Sequence, residues 1–391
     1  MLNARFLVSA LVVLGLAGAL TVQALGMAST RRAPAQSVSI LPSNAPAHAR
    51  LAYKSFADAA ADGASETQAA TAAAPIALRA ISTDPLLPRA HAVLAASLDP
   101  SQRSAFLSSA SALHRRNLSL QGQVLQEALQ ANDPDVVIET LDQILRVNPE
   151  YEEEFFGVLI GAMRDERSVP AFARILDGST GWHARFLFEA AGDVPSLDNL
   201  LQLRARLSIR SERFDRRLIE RFGRTGRIAQ AEEAYALLPA QPTQDEEPGL
   251  IDWDAQYWPF EWEFADTAGF RAQSSRDGTQ LELFARPGQG GVAAQRLVRA
   301  PKAPFRLAIS YDVIDLRRED IEVTLTCPQT STPLAQATLA GIGSGLTVAR
   351  LPEGCEYVSI RVRVSVRNAR STLTGTIDQM ELAPVTHSAS N

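Results

Sequence analysis

The sequence has few of the residues that carry most enzyme and metal chemistry. Its 391 residues include two cysteines and five histidines, and no two of the histidines have the spacing of metal ligands. It contains neither a G-x-S-x-G nucleophile elbow nor a P-loop. We therefore predict a protein that is not an enzyme and that holds no metal and no cofactor.

Lysine is almost absent as well, since Lys54 and Lys302 are the only two. Arginine supplies the other positive charges, the formal net charge is −6, and no block of basic residues stands out along the chain. Nucleic-acid binding needs a clustered basic face. The linear sequence shows none, so we expect no nucleic-acid partner.

The N-terminus carries a long apolar run. Residues 6–28 contain no charged side chain, and a helix of that length can cross the hydrocarbon core of a bilayer. Two interpretations stay open. The run is a signal anchor that holds a periplasmic body at the inner membrane, or a signal peptide cleaved after Ala24 or Ala28, where small residues precede the scissile bond. The length of the run favours the anchor.

Composition divides the chain into further segments after residues 1–28. Residues 29–47 are rich in Pro, Ser and Ala and lack a hydrophobic period, which predicts a linker. We expect a helical-repeat domain at 48–240, a polar linker at 241–250, a β-sandwich domain at 251–386 and a tail at 387–391.

A helical pattern repeats within residues 48–240. Three apolar pairs recur at intervals of 32 residues, and each stands shortly before a helix breaker. They are Ala80-Ile81 before Pro85, Ala112-Leu113 before Asn117, and Ile144-Leu145 before Pro149. Because proline cannot continue a helix, these sites predict turns between helices. One helix pair cannot bury its apolar face alone, so the repeat predicts an α-solenoid of stacked pairs.

Two of these helix ends resemble the tetratricopeptide-repeat family, namely Ala80-Ile81 with Pro85 and Ile144-Leu145 with Pro149. The likeness covers about residues 65–165. The first helices lack the family's Trp and Gly-Tyr positions, and the period is 32 rather than 34, so the domain is described as TPR-like. The resemblance implies an interaction scaffold whose helical repeats bind a protein partner.

The hydrophobic period changes to two after residue 250. Four aromatic residues alternate with polar residues or proline, which predicts a half-buried strand at 258–264. The aromatic positions are Trp258, Phe260, Trp262 and Phe264. Further short strands follow to residue 382, separated by Gly and Pro turns. Eight or nine such strands predict an antiparallel β-sandwich or jelly roll.

This half resembles a carbohydrate-binding-module jelly roll. The likeness rests on Pro304-Phe305-Arg306-Leu307 at the start of one strand and on the closing strand at 375–382. It implies a fold and a polysaccharide as a partner to test, because fold alone does not carry function. The whole arrangement also resembles uncharacterised exported proteins of GC-rich Gram-negative bacteria, some of them associated with exopolysaccharide production.

Four residues are candidates for a site in this half. Sugar rings stack on exposed aromatic side chains. Trp253 and Tyr257 stand among polar residues before the aromatic alternation, which makes them the better candidates for such an exposed platform. Trp258 and Trp262 are expected in the core. Glu261 and Glu263 would share one strand face with Cα atoms about 6.6 Å apart, a spacing compatible with a glycosidase carboxylate pair.

The two cysteines, Cys327 and Cys355, form an even pair in an exported chain, which predicts a disulfide. Neither has a CxxC partner or a nearby histidine, which argues against a metal site.

Together these features predict a membrane-anchored periplasmic scaffold or adaptor, an accessory factor in envelope or exopolysaccharide assembly or export. Two alternatives stay open. One is a polysaccharide-modifying enzyme that uses Glu261 or Glu263. The other is a purely structural protein-interaction module, in which Trp253 packs at the domain junction.

Overall fold

The computed structural model describes residues 4–239, 249–301, 304–313, 321–339, 344–366 and 372–385. Residues 241–248 of the predicted linker, and the predicted tail, lie outside the described residues. Within the described part, fourteen α-helices precede eleven β-strands. The prediction of a helical-repeat region followed by an antiparallel β-sandwich is confirmed.

The chain divides into two compact units. The N-terminal unit comprises residues 1–162 and 170–175, and the C-terminal unit comprises residues 163–169 and 176–391. The last helices therefore belong to the same compact unit as the sandwich. The predicted bounds of the helical-repeat domain and of the β-sandwich domain stay a prediction.

The helices begin and end close to the predicted breakers. They are α1 (Ala4–Ser29), α2 (Pro34–Ile40), α3 (Ala45–Ala61), α4 (Glu66–Thr83), α5 (Pro88–Ser97), α6 (Pro100–Leu113), α7 (Leu118–Ala131), α8 (Pro134–Leu145), α9 (Glu152–Met163), α10 (Val169–Ile175), α11 (Gly181–Ala190), α12 (Leu197–Arg204), α13 (Glu212–Arg224) and α14 (Ile228–Ala236). Local signals explain many of these bounds. Asn117 caps α7, Asp133 caps α8, and Pro134 occupies the first turn of α8.

Helix α1 is the one described helix that is long and apolar enough to cross a membrane, over Ser9–Ser29. Its side chains pack against little of the protein. Leu11, Leu14 and Leu20 are more than half exposed, which is the opposite of a soluble core helix.

The linker predicted at 29–47 is wrong, because α2 and the start of α3 occupy it. A buried cluster, here called the Gly26 lock, holds these helices to α1. The carbonyl oxygen of Gly26 accepts hydrogen bonds from Thr30 Oγ1 (3.0 Å), Ser37 Oγ (2.6 Å) and Asn44 Nδ2 (3.2 Å). Asn44 Nδ2 also donates to both hydroxyl oxygens at 2.8 Å. The small polar residues that suggested a linker in the sequence therefore form hydrogen bonds with one another in the structure.

Residue 26 must be glycine for the Gly26 lock to close. A Cβ atom there would lie 2.7 Å from Cβ of Leu41, in the turn after α2. Real side chains do not approach so closely, and the backbone of that turn would have to move. The close approach of α1 and α2 therefore depends on the missing side chain.

We predict that Asn44→Ala loosens the junction between α1 and α3. Asn44 is buried, donates within the Gly26 lock and caps α3 by accepting from the Ala47 amide at 3.2 Å. Its loss should cost about 2–3 kcal/mol, since a buried acceptor loses a donor and a helix loses its cap. Hydrogen exchange of the full chain in detergent micelles should show faster exchange over residues 34–44. Ser39→Ala, at an exposed position of α2, should leave exchange unchanged; equal protection in both variants would contradict the prediction.

The strands form two antiparallel sheets. They are β1 (Glu263–Phe264), β2 (Asp266–Thr267), β3 (Phe270–Ser274), β4 (Leu281–Ala285), β5 (Gly290–Arg299), β6 (Phe305–Val313), β7 (Ile321–Cys327), β8 (Thr332–Thr338), β9 (Ser344–Val348), β10 (Tyr357–Ser365) and β11 (Leu373–Pro384). One sheet has the order β1-β5-β10-β7-β8 and the other β2-β3-β4-β11-β6-β9.

The last eight strands have the connectivity of a jelly roll. Strands β4, β11, β6 and β9 lie side by side in one sheet, and β5, β10, β7 and β8 lie side by side in the other. The chain passes back and forth between the sheets, which is the double Greek-key arrangement of an eight-stranded jelly roll.

The core lies between the sheets and follows the predicted alternation. In β7 every second residue is buried, beginning with Ile321, Val323 and Leu325. The antiparallel register places Leu325 opposite Ile360 and Val323 opposite Val362 of β10. Such cross-strand apolar pairs are the stabilising contacts of a sheet with one buried face.

The predicted disulfide is confirmed. Cys327 ends β7 and Cys355 precedes β10, and these strands are neighbours in one sheet. The two Cα atoms are 5.7 Å apart, a separation that a disulfide spans.

Candidate functional site: an arginine cleft on α13

The aromatic residues predicted to be exposed are buried. Trp253 is 3% exposed and stacks on Trp262, with ring centroids 5.1 Å apart. Its Nε1 donates to the Thr279 carbonyl at 3.1 Å. Tyr257 is 8% exposed, and its ring centroid lies 6.1 Å from that of Tyr235 in α14. The predicted exposure is wrong, because an indole whose N–H finds a partner can be buried beside polar neighbours.

The strand predicted at 258–264 is also wrong over most of its length. The chain forms a turn, in which the amides of Phe260 and Glu261 both donate to the Tyr257 carbonyl at 3.1 Å. Strand structure begins at Glu263. Trp262 is buried as predicted, whereas Trp258 is half-buried and lies beneath the Arg224 guanidinium, 4.3 Å from its ring centroid.

The two predicted glycosidase carboxylates have separate structural partners. Glu261 is 7% exposed and accepts from the amides of Gln256 (2.6 Å) and Tyr257 (3.0 Å). Its second oxygen accepts from Tyr235 Oη at 3.2 Å. Glu263 instead pairs with Arg224 and accepts from Gln295 Nε2 at 2.6 Å. The two carboxylates do not face one shared exposed surface; Glu261 joins its own turn to α14.

Close packing accompanies these polar contacts. A Cβ atom at Gly223 of α13 would lie 2.8 Å from the Trp258 ring and 3.0 Å from Pro259. Glycine at this position lets the turn at 257–261 rest directly on α13. The turn at the start of the β-sandwich therefore packs closely against α13 within the C-terminal unit.

We predict that Tyr235→Phe makes the free energy of unfolding depend less steeply on pH in the alkaline range. Burial, together with the Glu261 carboxylate, raises the pKa of Tyr235 above its ordinary value. Because the pKa of Tyr235 is higher in the folded than in the unfolded state, its contribution to the free energy of unfolding is fully present below the unfolded pKa. That contribution is lost as the pH rises through the folded pKa. The variant should lose about 1–2 kcal/mol at neutral pH and show a shallower loss of stability above about pH 10. Thermal unfolding from pH 7 to 11 measures the loss of stability at neutral pH and its pH dependence. The control Tyr151→Phe lies outside this contact and should match the native profile. An unchanged pH dependence in Tyr235→Phe would count against the interpretation.

A cleft of about 790 Å³ beside α13 is the strongest candidate for a functional site. Its lining residues are Phe188, Gly192, Arg213, Arg216, Arg217, Glu220, Arg221 and Arg224, and we call it the arginine cleft. Five guanidinium groups thus meet one carboxylate in a chain whose net charge is negative.

The sequence of α13 explains how the arginines come to one side. The helix buries Phe214, Leu218, Ile219 and Phe222 on its inner face. The first turn is acidic and the last turn is basic, in keeping with the helix dipole, and Ser211 caps the start. Arginines spaced by three or four residues then share the outer face.

Three arginines of the cleft have no carboxylate partner among the described residues, namely Arg213, Arg217 and Arg221. The guanidinium carbons of Arg213 and Arg217 lie 4.9 and 4.1 Å from the Phe188 ring centroid. No carboxylate within the described ranges pairs with either one. Arg221 donates through Nη2 to the Gly192 carbonyl at 3.1 Å, while its buried Nε has no partner among the described residues. The phenyl ring and the carbonyl hold these cations close together despite their mutual repulsion.

The remaining arginines of the cleft are partly neutralised. Nη2 of Arg216 lies 3.6 Å from Oε1 of Glu212, and Arg224 forms ion pairs with both Glu220 and Glu263. The uncompensated charge is therefore concentrated at Arg213, Arg217 and Arg221. Guanidinium groups bind carboxylate or phosphate through paired hydrogen bonds, so the arrangement suits an anionic ligand.

The expectation that the chain has no clustered basic face is wrong. Glu212, Asp215 and Glu220 stand between the arginines, so a linear window over residues 212–224 looks nearly balanced. The helical spacing of Arg213, Arg217 and Arg221 was the signal that could have revealed the cleft. Phe188 and Gly192 could not have been assigned to it from the sequence.

Among the described residues, no three His, Cys, Asp or Glu side chains gather closely enough to hold a metal ion. No protein-family model matches the chain, and no curated protein matches it.

Proposed function

We propose that the protein is a non-enzymatic, membrane-anchored periplasmic adaptor that binds an acidic polysaccharide in the arginine cleft. The helical repeats would bind a protein partner, and the role would lie in envelope or exopolysaccharide assembly or export. The observation that carries the proposal is the row of uncompensated guanidinium groups on α13. Support for a glycan ligand comes from the jelly roll in the same compact unit and from the predicted export of the chain.

The spacing of the arginines favours a polymer over a single small anion. Arg213, Arg217 and Arg221 are four residues apart, so their Cα atoms are separated by about 6 Å along the helix axis. The row therefore extends over about 12 Å. A chain of uronic acids carries one carboxylate on each sugar ring and offers charges at a spacing of the same order. A single carboxylate or phosphate would engage only part of the row.

The Gly26 lock supports an uncleaved anchor. Both predicted cleavage positions, after Ala24 and after Ala28, lie in the last turns of α1, on either side of Gly26. Cleavage after Ala28 would remove Gly26 and with it the acceptor for Thr30, Ser37 and Asn44, and cleavage after Ala24 would leave Gly26 close to a new chain end. We therefore propose that α1 is an inner-membrane anchor that stays attached to the helical repeats.

The alternative functions are less well supported. An enzyme built on Glu261 and Glu263 would have to break contacts that join the turn to α14 and Arg224. A structural role is supported for Tyr257, which packs on Tyr235 of α14, whereas Trp253 packs inside the sandwich core.

The decisive variant is Arg213→Ala/Arg217→Ala in the full chain, studied in detergent micelles by affinity electrophoresis. Polygalacturonate in the gel should retard the native protein, and the double variant should bind at least about 10-fold more weakly, since two charge-assisted contacts are removed. Neutral dextran should retard neither protein.

The matched control is Arg361→Ala/Arg363→Ala, which removes two exposed arginines from β10. It should behave like the native protein, because those residues lie outside the arginine cleft. Equal weakening in both double variants would mean that retardation follows net charge alone. Stronger retardation by single-stranded DNA than by polygalacturonate would replace the glycan with a nucleic acid as the ligand.

A further inference from the structure

A second cleft lies in the N-terminal unit, within the helical repeats. Helices α6 and α8 both pack on α7, and a groove of about 640 Å³ lies between them with α7 as its floor. We call it the α6–α8 groove. Helix α6 is the second helix of the pair α5–α6, and α8 is the second helix of the pair α7–α8, so the groove lies between equivalent helices of successive pairs.

The floor of the groove contains a polar group with no partner. Gln121 of α7 is 2% exposed and lines the groove. Its Nε2 makes no hydrogen bond within the described part of the chain. A buried amide without a partner is destabilising, and most buried polar groups in native proteins are satisfied. An unpaired donor at the floor of a cleft therefore points to a ligand that supplies the acceptor.

The walls of the groove are polar and acidic. Ser104 and Ser108 of α6 face Glu139 and the buried Thr140 of α8 across it. Glu127 of α7 is half-buried, and its burial raises the pKa of that carboxyl, although Arg103 opposes the change. Of the described residues that line the groove, Glu127, Asp133 and Glu139 are acidic and none is basic. A positively charged group would complement these carboxylates.

Shape and lining favour a peptide over a sugar. None of the described residues that line the groove is aromatic, so they offer no stacking platform for a pyranose. Helix α7 has 14 residues and is about 21 Å long, which matches about six residues of extended chain. Hydroxyl and amide side chains at helical spacing can both donate to and accept from a peptide backbone.

We propose that the α6–α8 groove binds an extended segment of a partner protein, with a basic side chain seated between Glu127 and Glu139 and a backbone carbonyl accepting from Gln121 Nε2. The proposal rests on the protein-binding role proposed for the helical repeats. It is independent of the arginine cleft, which lies in the other compact unit.

The test uses the full chain, labelled and in detergent micelles, on an array of hexapeptides. One set has lysine at the third position, a second has glutamate and a third has norleucine, with the other positions varied in the same way. The lysine set should bind best, and the affinity of its strongest member is then measured by fluorescence anisotropy. Absence of preference for the lysine set would overturn the proposal.

Three variants locate the binding. Glu127→Gln/Glu139→Gln should weaken the selected peptide at least 10-fold, whereas Glu153→Gln/Glu154→Gln, at exposed positions of α9, should not. Gln121→Leu should weaken binding several-fold while the thermal midpoint stays equal or rises, because an unpaired buried amide is removed. A lower midpoint would make Gln121 a structural residue and overturn its assigned role, and equal weakening in both glutamate pairs would overturn the site.

The same samples separate this proposal from the glycan proposal. Polygalacturonate retardation should survive Glu127→Gln/Glu139→Gln, and peptide binding should survive Arg213→Ala/Arg217→Ala. Loss of peptide binding in the arginine variant would place the peptide in the arginine cleft and contradict the α6–α8 groove.

Discussion

The carbonyl oxygen of Gly26 is the acceptor on which the start of the N-terminal unit depends. Four side chains donate to it, those of Ser29, Thr30, Ser37 and Asn44, and Asn44 also caps α3. The C-terminal unit repeats the principle at Glu261, whose carboxylate gathers two backbone amides and the Tyr235 hydroxyl. In both places a buried acceptor has to be satisfied, and meeting that requirement sets the position of a helix.

Much of the fold could be predicted because its signals are local. The helix ends at Asn117 and Pro134 follow from capping and from the missing proline amide. The inward positions of β7 follow from alternation. The segment at 258–264 shows where alternation fails. Its period of two fits a strand, but Glu261 accepts a hydrogen bond from Tyr235, 26 residues earlier in the chain, in a turn that buries both Phe260 and Glu261. A contact of that range has no local signal.

The candidate site was harder to predict for a related reason. A charge pattern becomes a site only when tertiary packing decides which charges are neutralised. Arg216 and Arg224 have acidic partners, whereas Arg213 and Arg217 have the ring of Phe188 from another helix. The exposure expected for Trp253 failed in the same way, because the Thr279 carbonyl that receives its N–H comes from a distant loop.

The position of the Cys327–Cys355 disulfide has a consequence for solubility. The interval between the two cysteines contains β8 and β9, and each of these strands ends the order of its own sheet. One covalent bond thus closes a loop that carries an open edge from both sheets. Unpaired edges invite strand addition by other molecules. Before the disulfide forms, both edge strands can detach more easily, so we expect the reduced chain to aggregate more readily than the oxidised chain.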